Sequence, residues 1–283
     1  MPERKRPRPR TAAAAGDGVK LHRRPLRADG RDYSVITLRP GTRARFSTNR
    51  FHETWHILSD LHGARLLGRL LWGLSFQRLP GTVIVIDRPH LDPNPFDAEP
   101  ADPIVLVPAH LTTLTAQAMR RLRRRVDEPS QGTVRWRTWG LDAELARMRE
   151  RVRECREFRR WPGWEPPTAD RGAAVERIGG ALVFRAPPAR LREWAVDVAA
   201  LGDDMRHGMD YVYLEASNSP LCWGDGEVQI FSDYRRRVAV AGISRREVLA
   251  DLPEGSAPAD VHPRIWRHNG TVRARGRVTA ATG

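Results

Sequence analysis

Two short runs most constrain the fold. Thr82-Val-Ile-Val-Ile86 and Ile104-Val-Leu-Val107 are continuously apolar and rich in β-branched residues. Pro80-Gly81 turns the chain into the first, and a Pro- and acid-rich loop from Asp87 to Pro103 separates the two. A strand that is apolar at every position suits the interior of a sheet covered on both faces, and supplying that cover is the work of helices. Other segments fit the same scheme. Tyr33–Leu38, Thr133–Trp139, Ala181–Phe184, Tyr211–Leu214, Val228–Phe231 and Val238–Ala241 read as strands. Helical spacing predicts helices over Arg50–Trp72, His110–Val126, Leu141–Cys155 and Pro188–Leu201, and Asn269-Gly270 suggests a small terminal hairpin. The expected class is α/β or α+β: a mixed β-sheet flanked by helices.

The 283 residues, 40% hydrophobic, suffice for a sizeable core. Cys155 and Cys222 are the only cysteines, which excludes a disulfide framework and a CxxC zinc site. The longest apolar stretch, Leu66 to Phe76, is interrupted by Arg69 and falls far short of the ~20 residues a membrane span needs. No membrane partner is expected, and a cytoplasmic location is the default. Residues 1–32 read as a disordered basic arm, 33–160 as an α/β domain, and 161–253 as a smaller α+β domain or a continuation of the same sheet. Residues 254–283 read as a tail. Trp161-Pro-Gly-Trp-Glu-Pro-Pro167 marks the central boundary.

The net charge is +14, and only Lys5 and Lys20 of the 48 cations are lysines. Its placement matters more than its total. Residues 1–50 carry 14 cations against 4 anions, and residues 111–160 carry 14 against 7, whereas 161–283 balance at 16 each. The second basic stretch holds Arg120, Arg121, Arg123, Arg124 and Arg125 at the end of a helix. It then holds Arg135, Arg137 and Trp139 on one face of a strand. Arginine beside an exposed tryptophan can hold a phosphate while the ring stacks on a base.

One catalytic motif is present. His52-Glu53-Thr54-Trp55-His56 matches HExxH, which on a helix puts two histidines on one face for a zinc, with Glu53 as general base. With His62, the segment HETWHILSDLH resembles the extended zinc motif of metzincin proteases, and Met209 resembles their methionine turn. The family would imply a zinc-dependent hydrolase with His52, His56 and His62 as ligands. Ser59 replaces the family's glycine, however. On an unbroken helix His62 would point about 80–120° away from the other two. A weaker variant joins His52 and His56 to Asp87, with His90 or Asp92 as further donors, just past the end of a buried strand.

Three readings follow. The first is an accessory protein, not an enzyme, that contacts DNA or RNA electrostatically through the arm and the Arg/Trp stripe. The second is a metal-dependent hydrolase on the HExxH residues. The third is a module for an acidic protein partner, using the seam Leu141, Leu145, Met148, Val152 and Cys155.

Overall fold

The two apolar runs are central neighbours in a seven-stranded mixed sheet, β5 (Thr82–Ile86) beside β6 (Ile104–Pro108). A computed structural model of the protein describes residues 18–125, 129–158, 172–203, 205–214, 226–253 and 255–281. β5 and β6 pair antiparallel, and all ten of their residues are buried. Outward on one side lie β2 (Arg31–Thr37), β1 (Gly18–Ala28) and β7 (Gly132–Arg137). On the other lie β9 (Ala181–Ala186) and β8 (Ala174–Ile178). The β2–β5 and β6–β9 pairs are parallel and the rest antiparallel, so the sheet is mixed as expected. One face carries Val35, Val83, Val105 and Val183 and packs on α2 (Ala116–Arg125) through Ala118, Met119 and Leu122. The other carries Ile36, Ile84, Ile104 and Phe184 into the main core.

That core is filled by α1 (Leu61–Ser75) and α4 (Pro188–Ala200) and by a second sheet. The second sheet has four strands in the order β10 (Met209–Leu214), β11 (Gly226–Phe231), β4 (Thr54–Ser59), β3 (Phe46–Phe51). Asp60 caps α1, its carboxylate accepting from Gly63 N at 2.8 Å. Gly68 lets α1 and α4 touch backbone to backbone: a Cβ there would lie 2.7 Å from Ala195 O. Phe46, Ile57, Val228 and Ile230 point from the second sheet into the core. By strand alternation, Asn49, His56, Glu227 and Phe231 therefore point the opposite way, towards α5 (Tyr234–Ala250) and α6 (Pro258–Ala281).

Several sequence expectations are corrected. The helix expected over Arg50–Trp72 is the β3–β4 hairpin followed by α1; the chain reverses at His52-Glu53, both at positive φ (47° and 67°). Residues 18–28, expected in the arm, form β1, whose Leu21, Leu26 and Ala28 are buried while Lys20, Arg23 and Arg27 are exposed. The remainder of the arm, the 161–167 boundary and Cys222 lie outside the described residues. Val238–Ala241 belongs to α5, not to a strand. The terminal hairpin is absent because Val261, Ile265, Asn269 and Val272 are buried at steps of four, four and three along α6. β8 was not anticipated. Chain on both sides of residue 161 enters both sheets.

Candidate functional site

The HExxH residues do not form the face their spacing suggests. His52 and Glu53 are exposed at the hairpin tip, where the His52 ring meets Phe51 edge-on at 4.0 Å. His56 is buried four residues on. Asp87 lines a separate basin of about 370 Å³ with Arg88, Arg120, Arg123 and Arg124. His90 lies against Arg45, its Nδ1 3.4 Å from the guanidinium, and burial holds its imidazole below the ordinary value. Asp92 lies 3.8 Å from the same arginine, and burial raises its carboxyl. His62 is exposed on α1, beyond the hairpin, and Met209 opens β10. Among the described residues, no group of three or more His, Cys, Asp or Glu stands close enough to hold a metal. The metzincin-like arrangement, which needs a helix under the histidines, is thus corrected by the hairpin.

The arginine stripe does come together. Residues opposite one another in an antiparallel pair share a face. Arg135 stands opposite Lys20, Thr133 opposite His22, and His22 in turn opposite Thr37. Alternation adds Arg24 and Arg137 to that face, which is the one α2 packs on farther along the sheet. Of the six cations in residues 18–24, 33–39 and 132–139, Lys20, Arg24, Arg39, Arg135 and Arg137 share that face and Arg23 takes the other; the three segments hold no carboxylate. The His22 imidazole is held below its ordinary value by burial and by the charges of Arg24 and Arg39. Trp136 turns inward and donates to Leu70 O at 3.2 Å, whereas Trp139 is 65% exposed with the Arg137 guanidinium 5.3 Å from its ring centre. Arg120, Arg121, Arg123, Arg124 and Arg125 are all exposed on α2. Lys20 and Arg24, expected in a disordered arm, stand instead on this face because β1 pairs into the sheet, and Arg39 joins them just past the end of β2.

The α3 seam (Leu141–Phe158) is partly committed within the molecule. Leu141 and Leu145 enter the main core, while Met148, Val152 and Cys155 are half-buried. Arg149 adds a two-point ion pair to Asp203, at 2.7 and 3.0 Å.

A second feature had no local sequence signature. A cavity of about 1080 Å³ lies between the outer face of the four-stranded sheet, the 94–102 loop and α6. His56 is at its floor. On the neighbouring strand Glu227 pairs with it, Nε2 to Oε2 at 3.2 Å, with both side chains less than a tenth exposed. Asn49 stands opposite His56 on the other side, so three adjacent strands carry one polar row. Within the described residues His56 Nδ1, Glu227 Oε1 and Asn49 Oδ1 have no hydrogen-bond partner. Neither has Asn269 Oδ1 in the roof, although its Nδ2 donates to Phe96 O at 2.8 Å. The acids of the wall are engaged. Asp102 binds Arg177 at two points, Glu99 meets His262 at 2.9 Å, and Asp97 accepts from Glu99 N and Asn94. Burial raises the Asp97 carboxyl.

No known family model, characterised protein or solved structure matches this chain. No described helix is long and apolar enough to cross a membrane.

Proposed function

We propose that the protein binds nucleic acid through the open face formed by β7, β1 and the end of β2, with the exposed arginines of α2 beside it. The observation that carries this reading is the set of five cations, Lys20, Arg24, Arg39, Arg135 and Arg137, on one face of three paired strand segments that hold no carboxylate. A strand surface of this kind is open along its length, so it suits a backbone laid across it, each phosphate meeting a cation. Trp139, held by Arg137 at the sheet edge, is placed to stack on a base. Stacking needs an unpaired base, which favours single-stranded DNA or RNA over duplex. No groove-reading helix is involved, so sequence selectivity is weak.

A salt titration with mixed-sequence single strands tests the proposal. R135A/R137A lowers the slope of log K against log[salt] by about 1.4, at ~0.7 per phosphate contact on a single strand. Trp139→Ala weakens binding by about 1–3 kcal/mol and leaves that slope unchanged. Salt-independent binding, or a slope that the double substitution does not alter, refutes it.

A further inference from the structure

We propose that the cavity beneath α6 is a binding site for a single nucleotide, with the base inward and the phosphate at the rim. The site lies on the outer face of the four-stranded sheet, apart from the basic face of the seven-stranded one. Its chemistry is two-ended. Arg267 and Arg273 line it without a carboxylate partner among the described residues, and Arg267 is exposed. Every carboxylate of the wall already has a cation or hydrogen-bond donor, so the rim has uncompensated positive charge for an anion.

The interior asks for the opposite. Asn49 Oδ1 and Asn269 Oδ1 are buried acceptors without donors, and Asn269 is only 8% exposed. An amide oxygen cannot accept from an anion, and leaving it unmatched costs about 1–3 kcal/mol. A free phosphate or a simple carboxylate therefore fits the rim and not the floor. The ligand must carry N–H donors at one end and negative charge at the other. Between the two, Trp266 and Phe51 are 45% and 49% exposed, and Phe96 and Phe231 meet edge-to-face at 5.8 Å behind them. Exposed rings beside a polar pocket suit a flat heterocycle. The cavity volume is at the upper end of the ~300–1,000 Å³ typical of small-ligand sites, so a mononucleotide fits with room for solvent. Adenine, guanine and cytosine offer an exocyclic amino group to the two acceptors; uracil offers only a ring N–H.

The test is equilibrium dialysis of the full chain with 5′-AMP, 5′-CMP and 5′-UMP, beside adenosine, ribose 5-phosphate and orthophosphate. AMP or CMP is expected to bind at least about tenfold more tightly than UMP, adenosine or ribose 5-phosphate, as loss of one charged or buried hydrogen bond implies. R267A/R273A should weaken AMP by about tenfold to a hundredfold, and Trp266→Leu should weaken AMP while leaving ribose 5-phosphate unchanged. R135A/R137A should leave AMP binding unaltered, so failure of this site and failure of the nucleic-acid face are read separately. A 5′-phosphorylated trinucleotide that displaces AMP assigns the nucleotide to a strand end, and one that does not assigns it to the free pool. Ribose 5-phosphate or orthophosphate binding as tightly as AMP overturns the proposal. So does AMP binding that R135A/R137A abolishes and R267A/R273A spares.

Discussion

Asp197 sits on α4, the helix that packs against α1 through the Gly68 contact, and its carboxyl is pushed up from an ordinary 3.8 to about 6. Burial is the main cause, Glu193 one turn earlier adds to it, and Arg190 opposes both. In the unfolded chain the group titrates near its ordinary value, about 3.9. Between these two values the folded state therefore holds a proton that the unfolded state has released. The contribution of Asp197 to stability is therefore most favourable below about pH 4, falls as pH rises towards about 6, and stays lowered above that. At about 1.4 kcal/mol per pKa unit, the displacement of roughly two units amounts to about 3 kcal/mol at pH 7. Asp197→Asn keeps the shape and removes the charge. Urea unfolding of both proteins should show the variant more stable by about 2–3 kcal/mol at neutral pH and equal within about 0.5 kcal/mol near pH 4. A difference that is the same at both pH values, or a variant less stable at neutral pH, refutes the assignment of the penalty to an ionised buried carboxylate.

Two further substitutions test the fold where it departs from the sequence reading. H52N/E53G at the β3–β4 tip places residues that favour positive φ at both turn positions, and should raise stability by about 1 kcal/mol in thermal or urea unfolding; a loss of stability there would contradict the hairpin. Gly68→Ala forces a Cβ to within 2.7 Å of both Ala195 O and Ala199 Cβ, and should cost about 1–3 kcal/mol in the same assay; a neutral result would mean that α1 and α4 are not in that close contact.

The class of fold and its centre are legible in the order of residues along the chain. Val83–Ile86 and Ile104–Val107 are apolar at every residue, short, rich in β-branched side chains and flanked by turn residues, a combination that suits an interior strand covered on both sides. The Leu141 seam and the Pro188 helix were legible for the same reason, since local periodicity reports a helix with one buried face. The stripe formed by Arg135, Arg137 and Trp139 was legible too, because alternation within one strand assigns side chains to faces.

Features that depend on partners distant in the chain emerge only when those partners meet. β1 is dense in charge and reads as an arm until β2 and β7 pair with it and take up its backbone groups. The segment 51–58 has apolar residues at helical steps and at strand steps. Pairing of β4 with β3 and β11 selects the strand, and with it breaks the HExxH face. α5 and α6 carry short β-branched stretches that helix packing overrides. The cavity is the clearest case. Asn49, His56, Glu227 and Asn269 are scattered from residue 49 to residue 269, and what unites them is strand register and the placement of α6. Local patterns record which face of an element is buried; they do not record which elements meet, and a site built across three strands and a helix exists only once they do.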